Sequence, residues 1–122
     1  MKVILSAFLC SFLIVLGQVF WKIAVEKNGG LYSNEMSLLQ SSLNLLRSPW
    51  MLGGLLIYFL ATVYWVYLLG KYEYSYIYPL TSMVYVISFI FAIFVFKETV
   101  NIYRWLGVIL IIGGVISINH GR

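Results

Sequence analysis

Long apolar runs alternate with short polar breaks along this chain. The runs are Val3–Val25, Trp50–Leu69, Tyr76–Phe96 and Trp105–Asn119. A bilayer's hydrocarbon core, about 30 Å thick, takes roughly 20 apolar residues per helix, and the first three runs meet that length outright. The fourth is shorter and borrows Ile102 and Tyr103. The pattern predicts an all-α membrane protein, a bundle of four transmembrane helices.

The breaks differ in character. Gly70–Ser75 reads as a tight turn, and Lys97–Asn101 as another in which Thr99 or Asn101 caps the last helix. The first break is longer. After a flexible Gly29-Gly30 joint, Asn34 is placed to cap a segment from Glu35 to Leu46. Its apolar Met36, Leu39, Leu43 and Leu46 recur at helical spacing against Ser37, Gln40, Ser41 and Asn44. This predicts an additional amphipathic helix between the first two spans, lying in the interface and stopped by Pro49. It either caps the bundle or gates a lipid substrate.

Composition supports a membrane location, because 62% hydrophobic and 10% charged residues would aggregate as a soluble fold of this size. Residues 1–122 read as a single four-helix domain. Met1-Lys2 ahead of an apolar run is reminiscent of a secretory signal, but the run is too long and no small-residue cleavage site closes it. The formal charge of +4 fits the basic fringe of a membrane protein and not a nucleic-acid surface, since no basic cluster is interleaved along a soluble element. Cys10 lies within the first span and carries no redox information. Lys2, Lys71 and Arg122 fall on one side, and Lys27, Arg47, Lys97 and Arg104 on the other, too even a division to fix orientation.

Polar residues inside the spans need a partner or a wet cavity. Ser11, Gln18 and Lys22 share a face of the first span at spacings of seven and four. Lys22 either snorkels to headgroups or, with Gln18 one turn away, holds an anion. In the third span Tyr74, Tyr78, Thr81, Ser82, Tyr85 and Ser88 follow at three- and four-residue steps, and the second adds Tyr58, Thr62, Tyr64, Trp65 and Tyr67. Aromatic faces with hydroxyl tips suit a sugar or an amphipathic ligand, with packing and interfacial belts as the other use. Pro79 weakens the hydrogen-bond ladder near the start of the third span and marks a hinge.

The central parts of the spans hold no Asp or Glu, so the intramembrane carboxylate that exchanges protons for cations is missing. Glu98 is the nearest, and its position ahead of the last span suits the helix dipole as well as a cavity. No metal-ligand cluster, no nucleophile beside a base and no phosphate-cradling glycine loop occurs, so neither catalysis nor a cofactor is expected. His120 is a tail residue. Gly107 and Gly114, seven apart on one face, let two helices approach closely and nominate the last span as a dimerisation surface. Four short helices enclose little space alone, whereas a pair of such chains gives two repeats around a midplane cavity.

The run from Leu16 through Gly17, Gln18, Trp21 and Lys22 to Ala24, the run Tyr76–Met83 with Tyr78-Pro79, the Phe96-Lys97-Glu98 run through Arg104-Trp105-Leu106-Gly107, and Ile111–Val115 carry a resemblance. Across all the spans the chain resembles the drug/metabolite transporter superfamily and its small EamA-like members. Two branches have this size, the small multidrug resistance exporters and the subunits similar to the aminoarabinose–phosphoundecaprenol flippase. Gly-Gln followed by Lys, the Tyr-Pro pair and Glu98 ahead of Arg-Trp-x-Gly resemble the second branch. The multidrug branch carries a membrane-embedded Glu three residues before the first-span glycine, where this chain has Ile14.

That resemblance implies a transporter subunit that flips a polyprenyl (undecaprenyl)-phosphate-linked sugar across the cytoplasmic membrane. It would work as a homodimer or as a heterodimer with a similar small subunit. The expected substrate-binding residues are Gln18, Lys22, Tyr78, Ser82, Tyr85, Glu98 and Arg104, with the phosphate near Lys22 and Arg104, the sugar against the tyrosine-bearing face and the prenyl tail among membrane lipids. Two other functions stay open: proton-coupled export of cationic drugs or polyamines, and a non-transporting subunit that partners a glycosyltransferase.

Overall fold

The computed structural model describes residues 2–27 and 38–121. The Gly29-Gly30 joint, the Asn34 cap, the 35–37 start of the interfacial segment and Arg122 lie outside the described residues. The elements are α1 (Lys2–Lys27), α2 (Leu38–Leu46), α3 (Pro49–Lys71), α4 (Tyr74–Leu80), α5 (Met83–Phe94) and α6 (Ile102–His120). With α4 and α5 taken as one broken helix, the described residues hold four candidate membrane spans by length and composition, as in a multi-pass, all-helical membrane protein.

Each boundary follows from local chemistry. Pro49 opens α3 at its first turn instead of merely ending α2, because a missing N–H costs nothing where the helix has no partner for it. The chain turns through Arg47 and Ser48, whose N–H groups reach the Asn44 and Leu45 carbonyls. α2 places Leu39, Leu43 and Leu46 outward and buries Leu45 against the bundle, the stripe expected of a helix lying at the lipid surface. At the start of α6, the Asn101 side chain accepts from the Arg104 N–H at 3.1 Å, so Asn101, not Thr99 or Glu98, is the cap.

The third span breaks where Pro79 predicts. Donors at Thr81, Ser82, Val84 and Tyr85 bond three residues back, to Tyr78, Pro79, Thr81 and Ser82, so the ladder tightens locally between α4 and α5. The Thr81 hydroxyl also donates to the Tyr78 carbonyl, at 2.6 Å, so that acceptor takes two bonds and the hydroxyl is itself satisfied.

The tightest helix pairing runs antiparallel between α1 and α3. Cys10, Gly17 and Ala24 are buried at seven-residue spacing on α1, and Gly54, Ala61 and Leu68 at the same spacing on α3. The two series meet in register: the Cys10 thiol donates to the Ala61 carbonyl at 3.6 Å, and Gly17 faces Gly54. A Cβ on Gly54 would stand 2.6 Å from Trp21 Cδ1 and 2.8 Å from the Gly17 carbonyl oxygen. Small residues thus let the backbones approach, and the resulting van der Waals attraction drives helix pairing in a solvent as apolar as the side chains themselves. The Trp21 indole lies in the notch left by Gly54, its ring tilted 33° to that of Tyr58 with the centres 4.9 Å apart.

Two apolar clusters complete the core. Val3, Ala7, Cys10, Leu68, Ile77, Leu80 and Met83 close the end that carries the α3–α4 turn. Val15, Val19 and Ile87 form a smaller one farther along α1. α6 packs at the edge, mainly against α4 and α5, with no fully buried residue. Gly107 and Gly114 have open space where a Cβ would stand.

Gly54→Ala is expected to destabilise the protein by about 1–3 kcal/mol through overpacking, whereas Gly70→Ala, with nothing within 4 Å of the added methyl, should be neutral or slightly stabilising. Thermal melts in one detergent check the contrast. Equal melting temperatures for the two variants would contradict the α1–α3 seam.

Candidate functional site

Near its middle α1 is held between α3 and α5, but towards its C-terminal half α1 and α5 separate and leave a slot. Its walls are apolar, from Val15 and Val19 on α1 and Phe91 and Ala92 on α5, with Phe96 just beyond that helix. The polar groups are Gln18, Lys22, Ser88 and Glu98. The slot measures about 260 Å³ and is partly open at the protein surface.

The mouth is set by a turn that helical spacing does not encode. After α5 the Phe96 N–H reaches the Phe91 carbonyl, Lys97 takes a left-handed conformation (φ 52°), and the Glu98 N–H folds back onto the Ala92 carbonyl at 3.0 Å. That reversal aims Glu98 at α1. Lys22 Nζ lies 2.5 Å from Glu98 Oε1, and 4.4 Å from the centre of the Phe96 ring. Among the described residues this is the one ion pair between side chains. The hydrogen bond and charge of Lys22, with a smaller contribution from Arg104, hold the Glu98 carboxyl below its usual value of 4.5.

The predicted residues therefore divide. Gln18, Lys22 and Glu98 meet at one slot, although they stand 80 residues apart at the extremes, from position 18 to position 98. Arg104 lies outside its lining and acts on Glu98 only through its charge. Tyr85 sits on α5 two turns from Ala92 on the same side of the helix, exposed. Ser82 lies in the break between α4 and α5. Tyr78 is nearer the opposite membrane face, half-exposed and outside the slot, with its ring centre 4.9 Å from that of Tyr74 and 6.2 Å from that of Trp65.

Ser11 shares its helical face with Gln18 and Lys22 but is buried, because the bundle is still closed at its level. Ser88 closes the third-span series of Tyr74 to Tyr85, and Phe91, Ala92 and Phe96 continue it at three- and four-residue steps, but helical spacing does not say that this face meets α1. The available signal is that Glu98 and Lys22 carry opposite charge at the same membrane end. A larger open hollow of about 610 Å³ lies at the other end, lined by Lys71, Tyr72, Glu73 and Tyr76, and contains none of the predicted site residues.

Four candidate spans with a charge-paired slot between two of them suit a small membrane transporter. Residues 30–120 match the EamA-like transporter family, and the chain belongs to that family. It is 35% identical over 120 residues, 98% of each chain, to a protein of Pseudomonas fluorescens strain Pf-5 named probable 4-amino-4-deoxy-L-arabinose-phosphoundecaprenol flippase subunit ArnE. It is 37% identical over 107 residues, 88% of each chain, to the protein of the same name from strain Pf0-1. No solved structure matches the chain significantly.

A depressed carboxyl pKa in the folded protein contributes stability that is complete above the unfolded value and lost as pH falls through the folded one. The tether between Glu98 and α1 should therefore hold from neutral pH down to the ordinary value of 4.5 and loosen only below it. Amide exchange protection across residues 95–101 reads this directly. Glu98→Gln should show the loosened state already at neutral pH, and loss of protection well above the ordinary value in the native chain would contradict the pairing.

Proposed function

We propose that this protein is a subunit of a flippase that carries a polyprenyl-phosphate-linked sugar across the cytoplasmic membrane, and that the α1–α5 slot takes the headgroup. The observation that carries this reading is Lys22, a cation in a largely apolar slot between two candidate membrane spans. Ligand sites commonly span roughly 300–1,000 Å³. A slot of about 260 Å³ has room for a headgroup and none for a polyprenyl chain, which stays in the bilayer. Neutralising the phosphate with Lys22 lowers the cost of bringing its charge towards the low-dielectric interior. Gln18 and Ser88 offer hydrogen-bonding groups to sugar hydroxyls, and Tyr85 extends the same side of α5 towards the other leaflet. Two relatives of nearly full length carry the name of such a subunit, which supports the substrate class.

Export of cations by proton exchange fits the site less well. Position 14 is Ile14, packed against the core, and the carboxylate at the slot is Glu98, held ionised by Lys22 and so poorly suited to carry a proton near neutral pH. The presence of a slot argues for transport over a purely scaffolding role beside a glycosyltransferase.

Lys22→Met should reduce binding of an undecaprenyl-phosphate-linked aminoarabinose by at least about tenfold, the loss expected when a charged hydrogen bond is removed, while folding is retained. Lys22→Arg should keep part of the affinity, since the charge persists with altered geometry. Lipid binding to protein in nanodiscs measures both, and unchanged affinity in Lys22→Met would sink the site.

Pairing with a second copy or a similar subunit through α6 belongs to the same proposal. Its Gly107 and Gly114 face open space in the single chain. Gly114→Leu should lower the associated fraction in bilayers without preventing insertion. Fluorescence energy transfer between labelled chains reads that fraction, and an unchanged value removes α6 from the interface.

A further inference from the structure

We infer that Glu98 is a cation subsite, so that the slot selects a headgroup carrying both a phosphate and an amine over one carrying a phosphate alone. This rests on the reading of the slot as a phosphate-lipid headgroup site and adds what decides between headgroups. Lys22 is already neutralised by Glu98 Oε1 at 2.5 Å, so a phosphate that takes Lys22 displaces the carboxylate. The displaced carboxylate, 38% exposed at the rim of the slot that Phe96, Phe91 and Ala92 also line, loses its one ion-pair partner. Arg104 lends it a distant charge but no ion pair.

A headgroup with an anion alone therefore satisfies Lys22 and strands Glu98. One with an ammonium as well replaces both partners: Lys22 with phosphate, Glu98 with amine. Two ion pairs form for one broken and the slot stays neutral overall. Because the protein's two charges are adjacent, the ligand's two charges must belong to one small unit, which an amino sugar joined directly to a phosphate supplies. Opposed charges against a single zwitterionic unit also give discrimination, since a ligand lacking one group leaves a protein group unpaired.

The test compares two synthetic undecaprenyl phosphates, one carrying 4-amino-4-deoxy-L-arabinose and one carrying L-arabinose, whose hydroxyl replaces the amine with little change in size. Affinities are measured for the full chain in nanodiscs of neutral phospholipid at neutral pH. The native protein should bind the amino form about tenfold more tightly, as for one charge-assisted hydrogen bond. Glu98→Gln should abolish that preference while binding the arabinose lipid at least as tightly as the native chain does, because Lys22 no longer has to be freed. Glu98→Asp should retain a preference for the amine.

Equal native affinity for both lipids overturns the inference, and the phosphate site survives if Lys22→Met weakens both. A parallel loss of both affinities in Glu98→Gln also overturns it, by reducing Glu98 to a structural tether. Failure of the native chain to bind either lipid overturns the headgroup reading and this inference with it. The native comparison involves no substitution and stands even if a variant does not fold.

Discussion

The rest of this bundle depends on the close approach of α1 to α3 at Gly17 and Gly54. In lipid there is no hydrophobic gain from bringing helices together, so association is decided by how closely backbones fit. The seven-residue series of Cys10, Gly17 and Ala24 against Gly54, Ala61 and Leu68 provides that fit over most of both helices. With one face of α1 committed to α3, only its other side is left for α5. The two meet at Val15, Val19 and Ile87 and then diverge. The slot is the consequence of that divergence, and its position on α1 determines that Gln18 and Lys22, but not Ser11, reach it.

A charge pair at the mouth of such a slot has a double effect. Partly exposed ion pairs add little to stability, because water competes for both groups and ordering two side chains costs entropy. Lys22 and Glu98 are 44% and 38% exposed as side chains, open enough to exchange partners, at the rim of a slot that Phe96 and Phe91 also line. On the proposed reading of the slot, their larger influence is on what can enter, because the pair has to open before either charge takes up a group of the ligand.

The peripheral position of α6 is the counterpart of the tight α1–α3 seam. It rests mainly on α4 and α5, and its glycines at 107, 113 and 114 face open space. A helix attached along one edge leaves a long apolar face for lipid or for another chain. At the break after Pro79 the bonds tighten to three residues, and the Tyr78 carbonyl takes both the N–H and the hydroxyl of Thr81.

The sequence by itself determined the features that obey a one-dimensional rule. Span number follows from run length, the Asn101 cap and the Pro79 break from backbone hydrogen-bond chemistry, and the outward leucines of α2 from helical period. Membership of a transporter family was legible too, in the Gly17-Gln18, Trp21-Lys22 and Tyr78-Pro79 runs. Helical period also placed Ser11, Gln18 and Lys22 on one face but was silent on where that face is covered. Tertiary structure buried the first and opened the slot at the others. Glu98 shows the same division. Its place ahead of α6 suggested a role in the helix dipole, yet the left-handed turn at Lys97 carries it back across to α1. Period and composition report which residues can share a surface, whereas the meeting of Lys22 with Glu98 requires two helix ends and a reversal to be fixed together, and only the packed bundle fixes them.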